Sequence, residues 1–258
     1  MRNVWTMAKR EFAHYFVSPI AYAVALMFLS LLGLLFVWNV FSVSQQAAGG
    51  FGGGAEPTMQ WVFGPLSSLI LFFAPVLTMR LMAEEQNKGT LELLLTAPVR
   101  EWEIVVGKWL GAWFFGLCLI ATTLVYGLIL FAYGNPDTGP VYSGYVGLAL
   151  MIGAILAVGL FASSLTGNLI VSVAIGYAFV LFIWIIGAVG DLIQNLAGLL
   201  GGRNNELLDF VTYLDFSNHF QNNFMQGTIS TVDIVYFVSI IAIALFLATR
   251  VVEARRWQ

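Results

Sequence analysis

The chain has 258 residues, 59% of them apolar, and a mean hydropathy of +0.85. Only 10% are charged, against about 25% in an ordinary soluble domain, too few to cover the surface of a soluble body this size. This composition excludes a soluble enzyme, a nucleic-acid binder and a disordered chain, and the net charge of -3 says less than where the charges fall.

Residues 1–17 are predicted to form an amphipathic helix in the headgroup layer. Trp5, Ala8, Phe12, Tyr15 and Phe16 recur at helical spacing, and Arg2, Lys9 and Arg10 turn away from them. Ser18 and Pro19 then open an apolar run too long for a cleaved signal peptide. About 20 apolar residues span a bilayer as a helix. Charge-free stretches of that size lie at 19–40, 60–79 and 109–132. From Val141 to Gly190 no residue is charged. As one helix this would be ~75 Å long, so it must fold back, and the polar patch Ser163, Ser164, Thr166, Gly167, Asn168 is the expected reversal. That gives spans at 145–163 and 169–189. A last span at 233–250 is bounded by Asp233 and Arg250, both expected to snorkel to the interfaces. The runs are continuously apolar, not alternating, so the expected fold is all-α: a polytopic membrane protein with six transmembrane helices.

Six spans put both termini on one side. Arg2, Lys9, Arg10, Arg80, Lys88, Arg100, Lys108, Arg250, Arg255 and Arg256 then share that side, and only Arg203 lies opposite. The positive-inside rule makes the basic side cytoplasmic. Residues 41–59, with Gly49, Gly50, Gly52, Gly53 and Gly54, read as a flexible outer linker without the Lys of a phosphate loop. The outer segment 190–232 carries Leu192, Ile193, Leu196, Leu199 and Leu200, then Leu207, Leu208, Phe210, Val211 and Leu214. It is too apolar for a solvated loop and suits amphipathic helices dipping into the outer interface. The inner segment 80–108 is the most charged part of the chain. Within it Thr90 can cap a short helix bearing Leu91, Leu94 and Leu95 on one face, and Pro98 would end it. Such a helix fits the groove of a soluble partner, or packs on its own bundle.

Several chemistries lack their residues. The lysines are Lys9, Lys88 and Lys108, and none lies in a Walker A motif. The histidines, His14 and His219, fall outside the spans, which removes a transmembrane haem site and an HExxH metal site, and His219 reads as a polar interfacial residue. No ionisable residue lies near the middle of a span, which disfavours a proton- or sodium-driven carrier. Cys118, alone of its kind, is expected to be a small packed side chain. Gly107 with Gly111, and Gly153 with Ala157, would let helices approach closely. Pro65 and Pro75 should kink the second span and mark a candidate hinge. What remains is a passage without its own engine.

Residues 85–98 read EQNKGTLELLLTAP and are followed by Glu103, Ile104, Gly107 and Lys108. This pattern resembles the ABC-2 type permease subunits of ATP-binding cassette transporters, across nearly the whole chain. Tyr15-Phe-x-Ser-Pro19, Asn218-His-Phe220 and Gly227 resemble the branch that includes gliding-motility-associated permeases. The resemblance implies two permeases and two ATPase subunits, ATP and Mg in the partner and no cofactor in this chain. It implies an N-terminal elbow helix, re-entrant outer helices before the sixth span, and an ATPase-coupling interface at Glu84, Glu85, Gly89, Thr90, Leu91, Glu92, Leu94, Leu95 and Pro98. It further implies an exporter in the prokaryotic inner membrane, joined by a second permease of the same or another kind and by an extracytoplasmic accessory protein. Two other readings stay open: a membrane anchor or scaffold for an envelope or motility machine, and an intramembrane lipid- or peptide-modifying enzyme, for which Ser163 and Ser164 have no His nearby in sequence.

Overall fold

The computed structural model describes residues 2–48, 58–90, 99–133, 137–199 and 215–255, and every regular element among them is helical. In chain order these are α1 Arg2–Val17, α2 Pro19–Ala48, α3 Gln60–Asn87, α4 Glu101–Thr122, α5 Leu124–Tyr133, α6 Thr138–Leu165, α7 Leu169–Leu199, α8 Phe216–Asn222 and α9 Thr231–Arg255, with a 3-10 turn Phe224–Gln226 ahead of α9. A helix closes its backbone hydrogen bonds within itself, as hydrocarbon requires. Five stretches are long and apolar enough to cross a bilayer: Pro19–Gln45, Gln60–Asn87, Glu101–Ala132, Thr138–Leu165 and Thr231–Arg255. The other expected span falls on α7, whose apolar stretch Leu169–Ile185 is shorter. Of the expected linker 41–59, residues 41–48 instead continue α2 as helix, and its glycines 49–54, like the apolar residues Leu200, Leu207, Leu208, Phe210, Val211 and Leu214, lie outside the described residues.

The helices outrun the charge-free runs. α3 continues past Arg80, Glu84 and Glu85, and α4 begins at Glu101. Absence of charge marks only what sits in hydrocarbon, whereas helical hydrogen bonding carries on into the polar layer. In the third expected span α4 passes into α5 at Thr123, whose backbone stays right-handed and whose hydroxyl donates to the Ile120 carbonyl at 2.6 Å.

α6 is the hub. It packs on α3, α4, α7 and α9, and 78% of its apolar window is buried, against 22% for α2. Small residues make this possible. A Cβ on Gly147 would lie 2.6 Å from the Phe224 ring, and one on Gly159 would lie 2.1 Å from the Thr78 hydroxyl, so only hydrogen fits at either place. α2 lies against α3 and turns Leu26, Leu34 and Trp38 outward, a surface suited to lipid.

Three sequence expectations are corrected. The reversal uses only Thr166–Asn168, because α6 runs on to Leu165 and buries Ser163 and Ser164. Asn168 makes the turn, its side-chain oxygen accepting from the Ile170 amide at 2.9 Å. Cys118 is exposed, since its neighbours Phe115 and Leu119 take the inward positions of that helix face. Asp233 does not snorkel: it is 1% exposed and meets His219 Nδ1 at 2.5 Å.

Candidate functional site

One end of the bundle gathers the basic residues, and it is assembled from glycines. α1 lies on α4 along Gly107 and Gly111, where a Cβ would come within 2.7 Å of Met7 Cβ and 2.6 Å of Glu11 Cβ. Lys108 stands between these glycines and is therefore delivered into the seam, with its side chain 2% exposed. Its ammonium meets Glu11 of α1 at 3.0 Å and Glu85 of α3 at 2.8 Å. Arg10 flanks both carboxylates, 3.2 Å from Glu11 and 3.5 Å from Glu85. A buried ammonium is tolerated only when paired, and here one cation joins three helices.

Burial pushes the Glu11 carboxyl up, but the charge and hydrogen bond of Lys108, helped by Arg10, outweigh it and leave Glu11 below its ordinary value. Around this cluster further helix ends are tied. Glu84 pairs with Arg80 at 2.6 Å and Lys88 at 2.7 Å, and Arg80 also bonds Ser18 at the start of α2. Tyr15 donates to the Leu77 carbonyl at 2.9 Å. Glu103 accepts from the Arg100 amide and from Asn3, capping α4. Gln86 and Arg255 both donate to the Ser164 carbonyl, at 3.0 and 3.1 Å, so α3 and α9 converge on the end of α6. A cavity of about 720 Å³ lies between α1, α2 and α3, walled by Tyr15, Ile20, Ala21, Val76 and Leu77 and lined as well by Arg80.

Four expected coupling residues are described here. Glu84 and Glu85 are engaged as above. Gly89 takes a left-handed conformation, φ 67°, that ends α3 and suits glycine. Thr90 donates back to the Glu85 carbonyl at 3.3 Å. Leu91, Glu92, Leu94, Leu95 and Pro98 lie outside the described residues. Pro65 and Pro75 lie within α3, which stays helical through both. Sequence reading missed Glu11. The signal was there: it is an acidic residue in the otherwise basic α1, four residues from Tyr15 and on the face that meets α4.

The opposite end is closed by aromatics. Asp215 caps α8 through the Ser217 amide at 3.0 Å. Phe216, Phe220 and Phe224 are fully buried. His219 stacks on Tyr236 at 3.9 Å between ring centres, and Ser143 of α6 donates to the Phe224 carbonyl at 2.6 Å. His219 is thus a buried strut between α8 and α9.

These features define a multi-pass helical membrane protein whose basic end is knitted by ion pairs. Residues 3–256 match a family described as ABC-2 family transporter protein, and the chain belongs to that family of ATP-binding cassette transporter permeases. Over 129 residues it is 33% identical to a probable ABC transporter permease protein NosY of Pseudomonas aeruginosa. That match covers 48% of this chain and 43% of the relative.

Proposed function

We propose that this chain is the permease half of an ATP-driven exporter of the prokaryotic inner membrane, worked by a separate ATPase subunit docked at the basic end. The observation that carries this reading is the cluster at Lys108. Glu85, in the last turns of α3, is joined through one ammonium to α1 and α4. A push on the segment after Glu85 therefore reaches three helices at once. Residues 84–98 form the docking segment, both termini lie on the cytoplasmic side with the basic residues, and a second permease, the same chain or another, completes the passage. ATP and Mg belong to the partner.

The test is capture with placement. The chain, bearing Thr90→Cys in a Cys118→Ser background and a photocrosslinker on the remaining thiol, is purified from its native membrane. A cross-linked protein carrying a Walker A motif supports the reading. Recovery of the chain with no such adduct, with or without ATP, overturns it.

A further inference from the structure

α3 is gripped by its backbone, and the grips cluster around Pro75. A proline has no amide to close the ladder and crowds the carbonyl four residues earlier, so the turns beside it need outside partners in a membrane. The carbonyl it leaves open is that of Leu71; three helices bond instead to backbone groups on either side of the proline. Tyr177 of α7 donates to the Phe72 carbonyl at 2.5 Å. Tyr15 of α1 donates to the Leu77 carbonyl at 2.9 Å. Ser163 of α6, fully buried, donates to the Met79 carbonyl at 2.9 Å and accepts from the Met82 and Ala83 amides at 3.1 and 3.0 Å. Thr78 adds bonds to the Ala74 and Pro75 carbonyls, both at 3.1 Å. Gly159 lets α6 come close enough for this.

The Ser163 contacts differ in kind from the tyrosine ones. In a regular helix the Ala83 amide is the partner of the Met79 carbonyl. Here a single hydroxyl reaches both, and the Met82 amide as well. A side chain inserted into the ladder is a known cause of helix bending. Serine at such a place does what water would do, but it is fixed to another helix.

We infer that α3 bends between Pro75 and Ala83, not at Pro65, and that Ser163 is the positioning residue that holds the bend. The hydroxyl offers the Met79 carbonyl and the Met82 and Ala83 amides a second partner, so the segment can flex without stranding a polar group in the membrane. Given the coupling role proposed above, this is where movement at Glu85 becomes movement of the span. The bend itself needs no partner subunit.

The test therefore uses the full-length chain alone in lipid nanodiscs. Spin labels at Ser68→Cys and Asn87→Cys, both exposed, lie about 28 Å apart along a straight α3, in a Cys118→Ser background. Amide exchange is followed in parallel. Ser163→Ala should speed exchange at Met82 and Ala83 at least tenfold and broaden the label distance, while Ile70 and Leu71 stay unchanged. Thr78→Val, which loses hydroxyl bonds within α3 only, should leave both readings as they are. Lowered thermal stability in Ser163→Ala with unchanged exchange and distance would make Ser163 mere packing and overturn the inference. If Ser163→Ala does not insert, the chain with Ser163 intact is measured instead: a label distance shorter than that of a straight α3 is expected, and a straight-helix distance of about 28 Å overturns the inference.

Discussion

Lys108 shows why a charge can sit inside a membrane protein at little net cost. Its ammonium has two carboxylates within 3.0 Å, and an ion pair that is well made repays most of its desolvation. Removing one member is another matter, because the survivors stay buried without a partner. Lys108→Ala should therefore destabilise the chain by about 3 kcal/mol, read as the denaturation midpoint in mild detergent. Lys108→Met combined with Glu11→Gln and Glu85→Gln should recover most of that loss, since no uncompensated charge remains. Failure of the triple variant to recover would mean that the cluster stabilises through its charges and not despite them. The same site has a pH signature. Glu11 binds its proton less readily in the folded chain than in the unfolded one, so between the two values the unfolded state carries more protons. Its contribution is complete above the ordinary carboxylate range and is lost as pH falls through the lowered folded value. Midpoints measured from pH 7 to pH 3 should decline at the acid end, and Glu11→Gln should flatten part of that decline.

At the scale of elements, the contact of α1 with α4 rests on two missing side chains. A methyl at Gly111 would stand 2.6 Å from Glu11 Cβ and 2.9 Å from the Ala8 carbonyl. Neither can swing aside, so Gly111→Ala should cost about 1–3 kcal/mol and loosen α1, making a Met7→Cys thiol accessible to a water-soluble reagent. Gly64→Ala is the matched control. Nothing lies within 4 Å of its Cβ, and alanine favours helix, so this variant should be neutral or up to about 1 kcal/mol stabilising. Both glycines sit in apolar helices, and only their neighbours separate them. This marks what the chain discloses before it folds. Spans are legible because hydrocarbon imposes one length and one polarity on all of them. The amphipathic α1 was legible for the same reason, from its spacing. Ser163 and Ser164 were misread because serine's polarity suggests a turn, whereas a hydroxyl bonded to a neighbouring backbone is compatible with a buried helix. His219 and Asp233 are 14 apart in sequence, and no periodicity announces a pair made across two elements.

At the scale of the molecule, the ties at the basic end bring several helices to one place. α3 meets α1 and α4 through charges at Lys108 and α6 through Ser163. Its connection onward is the segment 91–98. If an ATPase subunit acts there, the apolar face of Leu91, Leu94 and Leu95 is what it would hold, and the ion cluster is what would pass the displacement on. These two functions can be separated by substitution. Leu94→Asp puts a charge where an apolar groove is expected and should abolish substrate-stimulated ATPase activity of the assembled complex. If Leu94 serves docking alone, the denaturation midpoint of the isolated chain should stay at the wild-type value. Lys108→Ala should do the reverse first, lowering the midpoint before any effect on docking is seen. Reconstituted complexes in proteoliposomes, assayed for ATPase rate and for co-sedimentation of the partner, distinguish the cases. Full stimulation in Leu94→Asp would remove residues 91–95 from the transmission path and leave the ion cluster a purely structural clasp.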